Sequence, residues 1–327
     1  MAILRKFNTK ATSVIDTGFG TNSGDSGGRF VNQNGRPNVV KKGISLFERY
    51  SWFHSMLDLP RWKFLLFILL AYIVINLLFA FIYIAIGIEY LGGVKQDSFF
   101  HNYLESFFFS LQTYTTVGYG RISPIGYLTS FVAAFEAFLG LMTFALATGL
   151  LYARFSKPNA YLKFSAIAVI APYKNTSGLM FRFAPFKNNY LTDAEVKVSL
   201  AMKPEENGSL TNRFFNLKLE LSKINALALS WTIVHAIDEE SPLYGMTEVD
   251  IKNTFMEVMV FVKAFDEAYS NTVVARTSYT NNEIVYGAKF KIMYHPDENG
   301  RETVLQLDKI NEVEKKELPS LAIVNSG

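Results

Sequence analysis

The chain has 327 residues, of which half are hydrophobic and only 19% are charged, against about a quarter charged in an average soluble domain. It contains no cysteine, so a disulfide framework, an iron–sulfur cluster and a cysteine-based zinc site are excluded. The net charge of +3 is too small to favour nucleic acid as a partner. Because the apolar residues are concentrated in two long blocks, the composition indicates a membrane protein and excludes a simple soluble enzyme.

The first 43 residues contain seven of the 21 glycines, with Ser, Asn and Thr between them. Such a segment buries too little apolar surface to offset the conformational entropy lost on ordering. We therefore expect residues 1–43 to form a flexible tail. The segment also lacks the apolar core and the small-residue site that are typical of a cleaved signal peptide.

An amphipathic helix is predicted over residues 46–59. Four apolar residues spaced by three or four positions share one face of it: Leu46, Tyr50, Phe53 and Leu57. Because an apolar block follows directly after Pro60, we expect this helix to lie in the membrane interface. A surface helix of a soluble protein is the alternative.

Two membrane spans are predicted from apolar sequence. Residues 64–88 contain no charged residue, and Glu136 is the only one in residues 124–153. Both blocks exceed the length of about 20 apolar residues that a membrane span needs. Residues 1–63 hold ten Lys and Arg, but the loop between the spans, residues 87–123, holds only two. The positive-inside rule therefore predicts that both termini lie in the cytoplasm.

The loop between the spans contains an aromatic segment, residues 99–113, that is too short and too interrupted to be a third span. It is predicted to be a re-entrant helix. The hexapeptide TTVGYG follows at residues 115–120. Non-helical backbone at membrane depth is tolerated only where protein buries it or a water-filled path passes it, and Gly118 and Gly120 allow backbone angles that are costly for other residues.

Four TVGYG loops around an axis are the known architecture of a K⁺ filter, in which carbonyl oxygens replace the hydration shell of the ion. The expected filter residues are Thr116, Val117, Gly118, Tyr119 and Gly120, with K⁺ bound at the first four of them. The side chains of Val117 and Tyr119 are expected to face away from the ion and to pack against the short helix. Since one chain supplies a quarter of the ring, a homotetramer is predicted.

One stripe of the second span is a candidate pore-lining surface. Counting by fours gives Glu136, Gly140, Phe144, Thr148 and Tyr152. Helix packing is the alternative for the two aromatic residues. Glu136, the only ionisable residue of the span, would either line the cavity or support the filter from behind. Gly140 and Gly149 are interpreted as close-packing positions in preference to hinges.

Basic residues near the inner membrane surface are candidates to bind anionic lipid, at about 1 kcal/mol each. They are Arg61, Lys63, Arg154 and Lys157. Ordinary anchoring at the inner surface, without a specific lipid, is the alternative.

From about residue 161 the pattern changes to short runs rich in Val, Ile, Phe and Tyr, separated by Gly, Pro, Asn and Asp. Many short strands at this spacing predict an all-β sandwich or barrel.

Together these motifs resemble the inward-rectifier potassium channel family, and most closely its bacterial branch. The resemblance covers about residues 44–300. Besides the filter, it rests on LPRWK (59–63), YARFSKP (152–158), LSWTIVHAIDEESPLYG (229–245) and ARTSYTNNEIVYGAKF (275–290).

The resemblance implies a fold of membrane α-helices plus an all-β domain. A slide helix would occupy residues 44–60 and a two-span pore domain residues 61–157, with pore helix and filter at about 99–120. A cytoplasmic immunoglobulin-like domain would occupy residues 158–308, and residues 309–327 would be a C-terminal tail. The resemblance further implies a homotetramer in the bacterial inner membrane, gated at the inner helix bundle, and regulation by anionic lipid such as phosphoinositide. Phe144 and Tyr152 would be constrictions near the gate.

Two positions depart from the family pattern. Phe144 stands where strongly rectifying relatives carry an acidic residue, which puts strong block by polyamines or Mg²⁺ at that site in doubt. Gln112 stands where relatives often carry a Glu that pairs with an Arg beyond the filter. Because Gln has no charge, we expect no ion pair between Gln112 and Arg121. A bond from Arg121 to Glu105 or Glu136 would change that interpretation.

The predicted function is passive, K⁺-selective conduction, with K⁺ as the permeant ion and no cofactor. A membrane-anchored β-domain that senses a ligand is the alternative, but an anchor has no use for a filter sequence. The sequence offers no catalytic constellation, so we do not expect an enzyme. The four histidines are scattered, and His235 is interpreted as a packing or interface residue, with pH sensing as a weaker alternative.

Overall fold

The computed structural model describes residues 8, 10–13, 28–45, 51–203, 205–206, 209–210 and 212–319. These residues fall into two compact units. The pore unit lies within Lys42–Lys157. The β unit comprises the described residues from Pro158 onward together with those up to Lys41.

The pore unit contains four described helices: α1 (Trp52–Asp58), α2 (Arg61–Ile86), α3 (Phe99–Tyr114) and α4 (Tyr127–Phe155). Of the described helices, α2 and α4 are the two that are long and apolar enough to cross a membrane, with 26 and 29 residues. Their bounds differ from those of the predicted spans by two or three residues. Pro60 directly precedes α2, and Gly87, with a φ of 129°, directly follows it.

The predicted interfacial helix is described only in part. Leu46 and Tyr50 lie outside the described residues, and α1 begins at Trp52. The two guanidinium Nη atoms of Arg154, on α4, each donate to a carbonyl oxygen at the end of α1, those of Met56 and Leu59, both at 2.6 Å. Carbonyls at a helix end have no partner inside the helix, so this arginine satisfies them and joins α1 to α4.

The re-entrant helix is present as α3, one residue longer than the predicted segment. The Ser98 side chain accepts a hydrogen bond from the backbone N–H of His101 and so caps its first turn. Strands β1 (Leu91–Gly92) and β2 (Ser123–Pro124) then pair in antiparallel fashion on either side of α3 and the hexapeptide. This pairing closes the loop between the spans.

The β unit contains two five-stranded sheets. The first sheet consists of β6 (Leu191–Met202), β9 (Arg213–Asn216), β10 (Lys223–Leu227), β12 (Met256–Asp266) and β13 (Asn271–Thr280). The second consists of β3 (Leu162–Phe164), β4 (Ala168–Tyr173), β5 (Thr176–Pro185), β11 (Trp231–Ile237) and β14 (Ile284–Tyr286). The order is β10-β6-β12-β13 with β9 on β6, and β11-β5-β4-β14 with β3 on β5. Every pair within these two sheets is antiparallel except β4–β14.

The remaining described elements are short. They are β7 (Glu205–Glu206), β8 (Ser209–Leu210), α5 (Glu248–Asn253), β15 (Ala288–Phe290), β16 (Tyr294–Pro296), β17 (Thr303–Leu305) and β18 (Val313–Lys315), with 3₁₀ turns at Ile88–Tyr90, Asn281–Glu283 and Leu307–Asn311.

Alternate residues of the long strands form one core shared by the two sheets. Val196, Val198 and Leu200 of β6 belong to the same buried cluster as Phe181 of β5. The Phe181 ring lies 5.4 Å from the ring of Tyr279 on β13, so side chains from the two sheets meet directly. Burial of each such side chain contributes about 1.5–3 kcal/mol to stability. The predicted β-sandwich is thereby confirmed.

The expectation of a flexible N-terminal tail is wrong for residues 29–38. The backbone N–H groups of Phe30 and Val31 donate to the carboxylate of Glu257 on β12, at 2.6 and 2.9 Å. Val31 is only 7% exposed, and Arg29 pairs with Glu283 at 3.0 Å. This segment is ordered because a buried carboxylate accepts its backbone donors.

The predicted end of the domain at residue 308 is also wrong. Ile310 is buried, and β18 pairs with β15. The guanidinium of buried Arg182 donates to the carbonyl oxygens of Ile310 (2.8 Å), Lys291 (2.6 Å) and Lys309 (2.5 Å). Burial lowers the pKa of Arg182. The β unit therefore continues through β18, and residues 320–327 of the predicted tail lie outside the described residues.

Candidate ion-selectivity site

The hexapeptide adopts an alternating backbone conformation. Thr116, Gly118 and Gly120 have φ angles of 57°, 54° and 80°. Val117 and Tyr119, which lie between them, have no positive φ. Alternation of left-handed and ordinary residues turns successive carbonyl groups towards the same side, as a row of ion ligands requires. Thr116 adopts this conformation although its side chain makes it costly by about 1–2 kcal/mol.

The carboxyl end of α3 holds the first part of this segment. The backbone N–H groups of Val117 and Gly118 both donate to the carbonyl oxygen of Gln112, at 2.9 and 3.3 Å. The N–H of Thr116 donates to the carbonyl of Thr113 at 3.0 Å. The first three amide donors of the hexapeptide after Thr115 therefore point back to the helix, which anchors this part of the segment.

The side chains of the filter are uncovered in the single chain. Val117 is 54% exposed and Tyr119 is 79% exposed. The expectation that both pack against the short helix stays a prediction. One chain has too few neighbours at this point to cover the filter.

Helix α4 lies very close to the carboxyl end of α3 at Gly140. A Cβ atom added there would lie 1.9 Å from the carbonyl oxygen of Tyr114, at the end of α3. The Tyr114 hydroxyl also donates to the Thr143 hydroxyl at 2.6 Å. Gly140 is thus a close-packing position, and its assignment as pore-lining is wrong. A Cβ at Gly149, by contrast, would meet nothing within 4 Å.

Glu136 is fully buried inside the pore unit, so its assignment to the pore lining is wrong as well. Its carboxyl group accepts a hydrogen bond from the Tyr83 hydroxyl at 2.6 Å and is bonded to the Ser110 hydroxyl. Buried Asn76 bonds to the same serine. A carboxyl at membrane depth needs such polar partners, and α2 and α3 supply them. Sequence reasoning missed these partners, although Asn76 is the only amide in an otherwise apolar block.

The other three residues of the proposed stripe lie on an uncovered part of α4. Phe144 is 74% exposed, and Thr148 and Tyr152 are also exposed. Phe144 and Thr116 both line a cavity of about 660 Å³ beside the filter. Steps of four overshoot the helical repeat by about 40° each, so the stripe turns by about 160° over its length. Its two ends therefore face different surroundings.

The residue that follows the filter has a charged partner. The Arg121 guanidinium forms an ion pair with Glu105 on α3, which raises the pKa of the arginine. His101 lies on the same helix, with its Nε2 3.9 Å from the Glu105 carboxylate. Gln112 is not the partner of Arg121, as expected. Arg121 nevertheless has an acidic partner, Glu105, which lies seven residues before Gln112. Of the two carboxylates that the sequence offered as partners of Arg121, the structure places Glu105, the only acidic residue of α3, beside it.

The four basic candidates differ in their surroundings. Arg61 and Lys63 are exposed. Lys157 is exposed too, but it pairs with Asp58 at 2.6 Å. Arg154 holds the end of α1, as described above. Within the described contacts, Arg61 and Lys63 are therefore the two without a carboxylate or carbonyl partner.

His235 lies in the β unit and is 5% exposed. Its Nδ1 lies 2.8 Å from the Lys218 carbonyl oxygen, to which it donates, so its Nε2 accepts from the Ser241 hydroxyl at 2.9 Å. Burial lowers the pKa of His235 and so favours the neutral ring, in which Nδ1 donates and Nε2 accepts. In the described part of the chain, no three His, Cys, Asp or Glu side chains are placed to hold a metal ion.

Known proteins match both units. Residues 162–326 match the model of the inward rectifier potassium channel C-terminal domain, and residues 67–157 match an ion channel model. The inward rectifier potassium channel Kirbac3.1 of Paramagnetospirillum magnetotacticum is 33% identical over 290 residues, which cover 87% of this chain and 95% of that protein.

Two human proteins are more distant. Inward rectifier potassium channel 18 and ATP-sensitive inward rectifier potassium channel 12 are each 28% identical over 294 residues, which cover 83% of this chain and 67% of each of them. The likeness thus extends through the pore unit and the β unit alike. The chain therefore belongs to the inward rectifier potassium channel family.

Proposed function

We propose that this protein is the subunit of a K⁺-selective channel that conducts K⁺ passively across the bacterial inner membrane. The observation that carries the proposal is the alternating backbone at Thr116, Gly118 and Gly120, directly after a re-entrant helix between two spans. Carbonyl oxygens of this segment would replace the water around the ion. The hydroxyl of Thr116 would add a last ring on the cavity side, and the negative end of the α3 dipole would favour a cation there.

The assembly is a homotetramer in this proposal. A carbonyl ring needs four copies of the loop around one axis. Two observations support it, namely the uncovered side chains of Val117 and Tyr119 and the exposed apolar face of α4 at Phe144. Neighbouring copies would bury these surfaces.

The gate would lie on the cytoplasmic half of α4. Phe144 and Tyr152 are both large, aromatic and exposed. Four copies of each, arranged around the axis, would close the path by dewetting. Both termini and the β unit would lie in the cytoplasm. Arg154 offers a route for coupling, because it ties the end of α1 to α4 and so transmits a shift of one helix to the other.

Anionic lipid is the proposed regulator, and Arg61 and Lys63 are its best candidate ligands because they are exposed. Replacement of both with Gln should weaken the response of flux to anionic lipid in vesicles of graded composition. The matched control is Lys157→Gln, which removes a charge that Asp58 already neutralises. An equal response in the double variant and the wild type would refute this assignment.

Uptake of radioactive Rb⁺ into proteoliposomes tests the function. The proposal predicts that K⁺ competes with Rb⁺ for uptake and that Na⁺ does not. Ba²⁺ should block the uptake. Intact tetramers without Ba²⁺-sensitive flux would contradict it and favour the alternative of a membrane-anchored sensor domain.

A further inference from the structure

A chain of hydrogen bonds between buried polar groups joins three helices of the pore unit. Asn76 and Tyr83 come from α2, Ser110 from α3 and Glu136 from α4. All four are fully buried. The Tyr83 hydroxyl donates to Glu136 Oε2 at 2.6 Å, and the Ser110 hydroxyl contacts both Glu136 Oε1 and Asn76 Oδ1, the latter at 2.9 Å.

The orientation of the Asn76 amide is fixed by its other contact. Its Nδ2 donates to the backbone carbonyl oxygen of Tyr72 at 2.7 Å. If the amide were reversed, two acceptor oxygens would face each other at that distance. Oδ1 therefore points towards Ser110, where it can only accept.

The protons of the network can then be counted. A serine hydroxyl has one proton to donate. If Glu136 were a carboxylate, Ser110 would lie between two acceptors, Oε1 and Asn76 Oδ1, and could satisfy only one of them. If Oε1 carries a proton, it donates to Ser110, Ser110 donates to Asn76, and Asn76 donates to Tyr72. Every contact is then between a donor and an acceptor.

The surrounding charges agree with this count. The groups that face Glu136 from the packed helices are Tyr83 from α2 and Ser110 from α3, and neither is a cation. Among the described residues, Glu136 takes part in no ion pair. A buried charge without a partner is costly at membrane depth, whereas a neutral acid with both oxygens bonded is not.

We propose that Glu136 is a neutral carboxylic acid, protonated at Oε1, that acts as a positioning residue for the filter. Ser110 lies two residues before Gln112, whose carbonyl oxygen holds the N–H groups of Val117 and Gly118. The hydrogen-bond chain thereby fixes α3, and with it the start of the filter, relative to both spans. The positioning role rests on the proposed function, but the protonation does not.

Infrared spectroscopy of the reconstituted protein at neutral pH tests the protonation. The carbonyl stretch of a protonated carboxylic acid lies apart from the amide bands, so the wild type should show a band that Glu136→Gln removes. Tyr83→Phe should shift that band to higher frequency, because Oε2, the carbonyl oxygen of the acid, loses its donor. Absence of the band from the wild type would overturn the proposal whatever the flux.

Flux through matched variants tests the positioning role. Ser110→Ala leaves the acid proton and Asn76 Oδ1 without partners, so we expect loss of the preference for K⁺ over Na⁺. Glu136→Gln should keep this preference, because its amide donates to Ser110 and accepts from Tyr83 as the acid does. The control is Ser106→Ala, one turn earlier on α3, where a fully buried hydroxyl has no partner among the described residues. This control should keep wild-type selectivity.

The possible results separate the two claims. Unchanged selectivity in Ser110→Ala, or equal loss in Ser106→Ala, would overturn the positioning role. A wild type that shows the infrared band but no K⁺-selective flux would contradict the proposed function while supporting the neutral acid.

Discussion

The two units of the chain differ in how far each completes its own structure. In the β unit, side chains from both sheets fill one core, and Phe181 and Val258 are almost completely buried. In the pore unit, large apolar residues of α2 and α4 such as Leu65 and Phe131 remain exposed. The β unit thus has the surface of a domain in water. In the proposed channel, lipid and neighbouring copies would cover these residues of the pore unit.

The two units also differ in how they use a glycine with a left-handed backbone conformation. Gly118 in the filter and Gly300 in the turn between β16 and β17 both have left-handed φ angles, 54° and 64°, and neither has an atom within 4 Å of an added Cβ. In the β unit such a residue makes a turn. In the pore unit, by our proposal, it aims a carbonyl group at the ion. An alanine at either position would be strained to a similar degree. Selectivity should suffer from that strain only at Gly118.

The largest expected effect is that of Gly118→Ala. An alanine at this φ costs about 1–2 kcal/mol, and relief of that strain would turn the carbonyl away from the ion. We expect the preference for K⁺ over Na⁺ to be abolished in the flux assay. Gly300→Ala bears similar strain and should leave selectivity intact. Similar selectivity in the two variants would show that the conformation of Gly118 has no special role in selectivity.

A large loss of stability is expected from Arg182→Met in the β unit. The buried carbonyl of Ile310 would lose its donor, at about 1–3 kcal/mol, and the part-buried carbonyl of Lys291 would lose the same partner. We expect a free energy of unfolding lower by at least about 2 kcal/mol and faster hydrogen exchange at Leu307–Asn311. Lys289→Met removes an exposed cation from β15 and is the control. Equal stability of the two variants would contradict the role of Arg182.

A smaller effect is expected from Gly140→Ala in the pore unit. The added methyl would overlap the Tyr114 carbonyl and push α3 from α4, at about 1–3 kcal/mol for each subunit. The tetramer should dissociate at lower temperature in detergent, as followed by size-exclusion chromatography after heating. Gly149→Ala, with open space at its Cβ, should not lower that temperature. Unchanged stability of Gly140→Ala would instead support a different packing of the two helices.

The smallest expected effect is the pH dependence of His235. Its pKa is lowered in the folded state, so the unfolded chain binds the proton more readily and stability is lost as pH falls below about 6.5. Thermal unfolding of the whole protein, measured between pH about 7.5 and about 5.5, should show this slope in the wild type and a flatter one in His235→Gln. Exposed His295 is the control, and His295→Gln should keep the wild-type slope. Parallel slopes in the wild type and His235→Gln would exclude His235 as the source.

Much of the architecture follows from local sequence. Long apolar runs predict α2 and α4 to within two or three residues, and the glycines of the hexapeptide predict two of its three left-handed positions, the third being Thr116. These features depend on residues that are close together in the chain.

Features that depend on distant partners were not predictable in the same way. Glu136 is buried because it bonds to Tyr83, which lies 53 residues away on another helix. Val31 lies within the first 43 residues, which are glycine-rich as a whole, yet it is held by Glu257, which lies 226 residues away. Arg121 likewise pairs with Glu105, at a position where the family pattern does not place the acid.

Structure determination of the reconstituted protein in K⁺ tests most directly whether peptide oxygens of four copies hold the ion. The expected result is a fourfold axis through the filter with ion density between the carbonyl oxygens of Val117 and Gly118. An assembly without that axis, or carbonyls turned away from it with no ion density in a conducting preparation, would contradict the proposed mechanism.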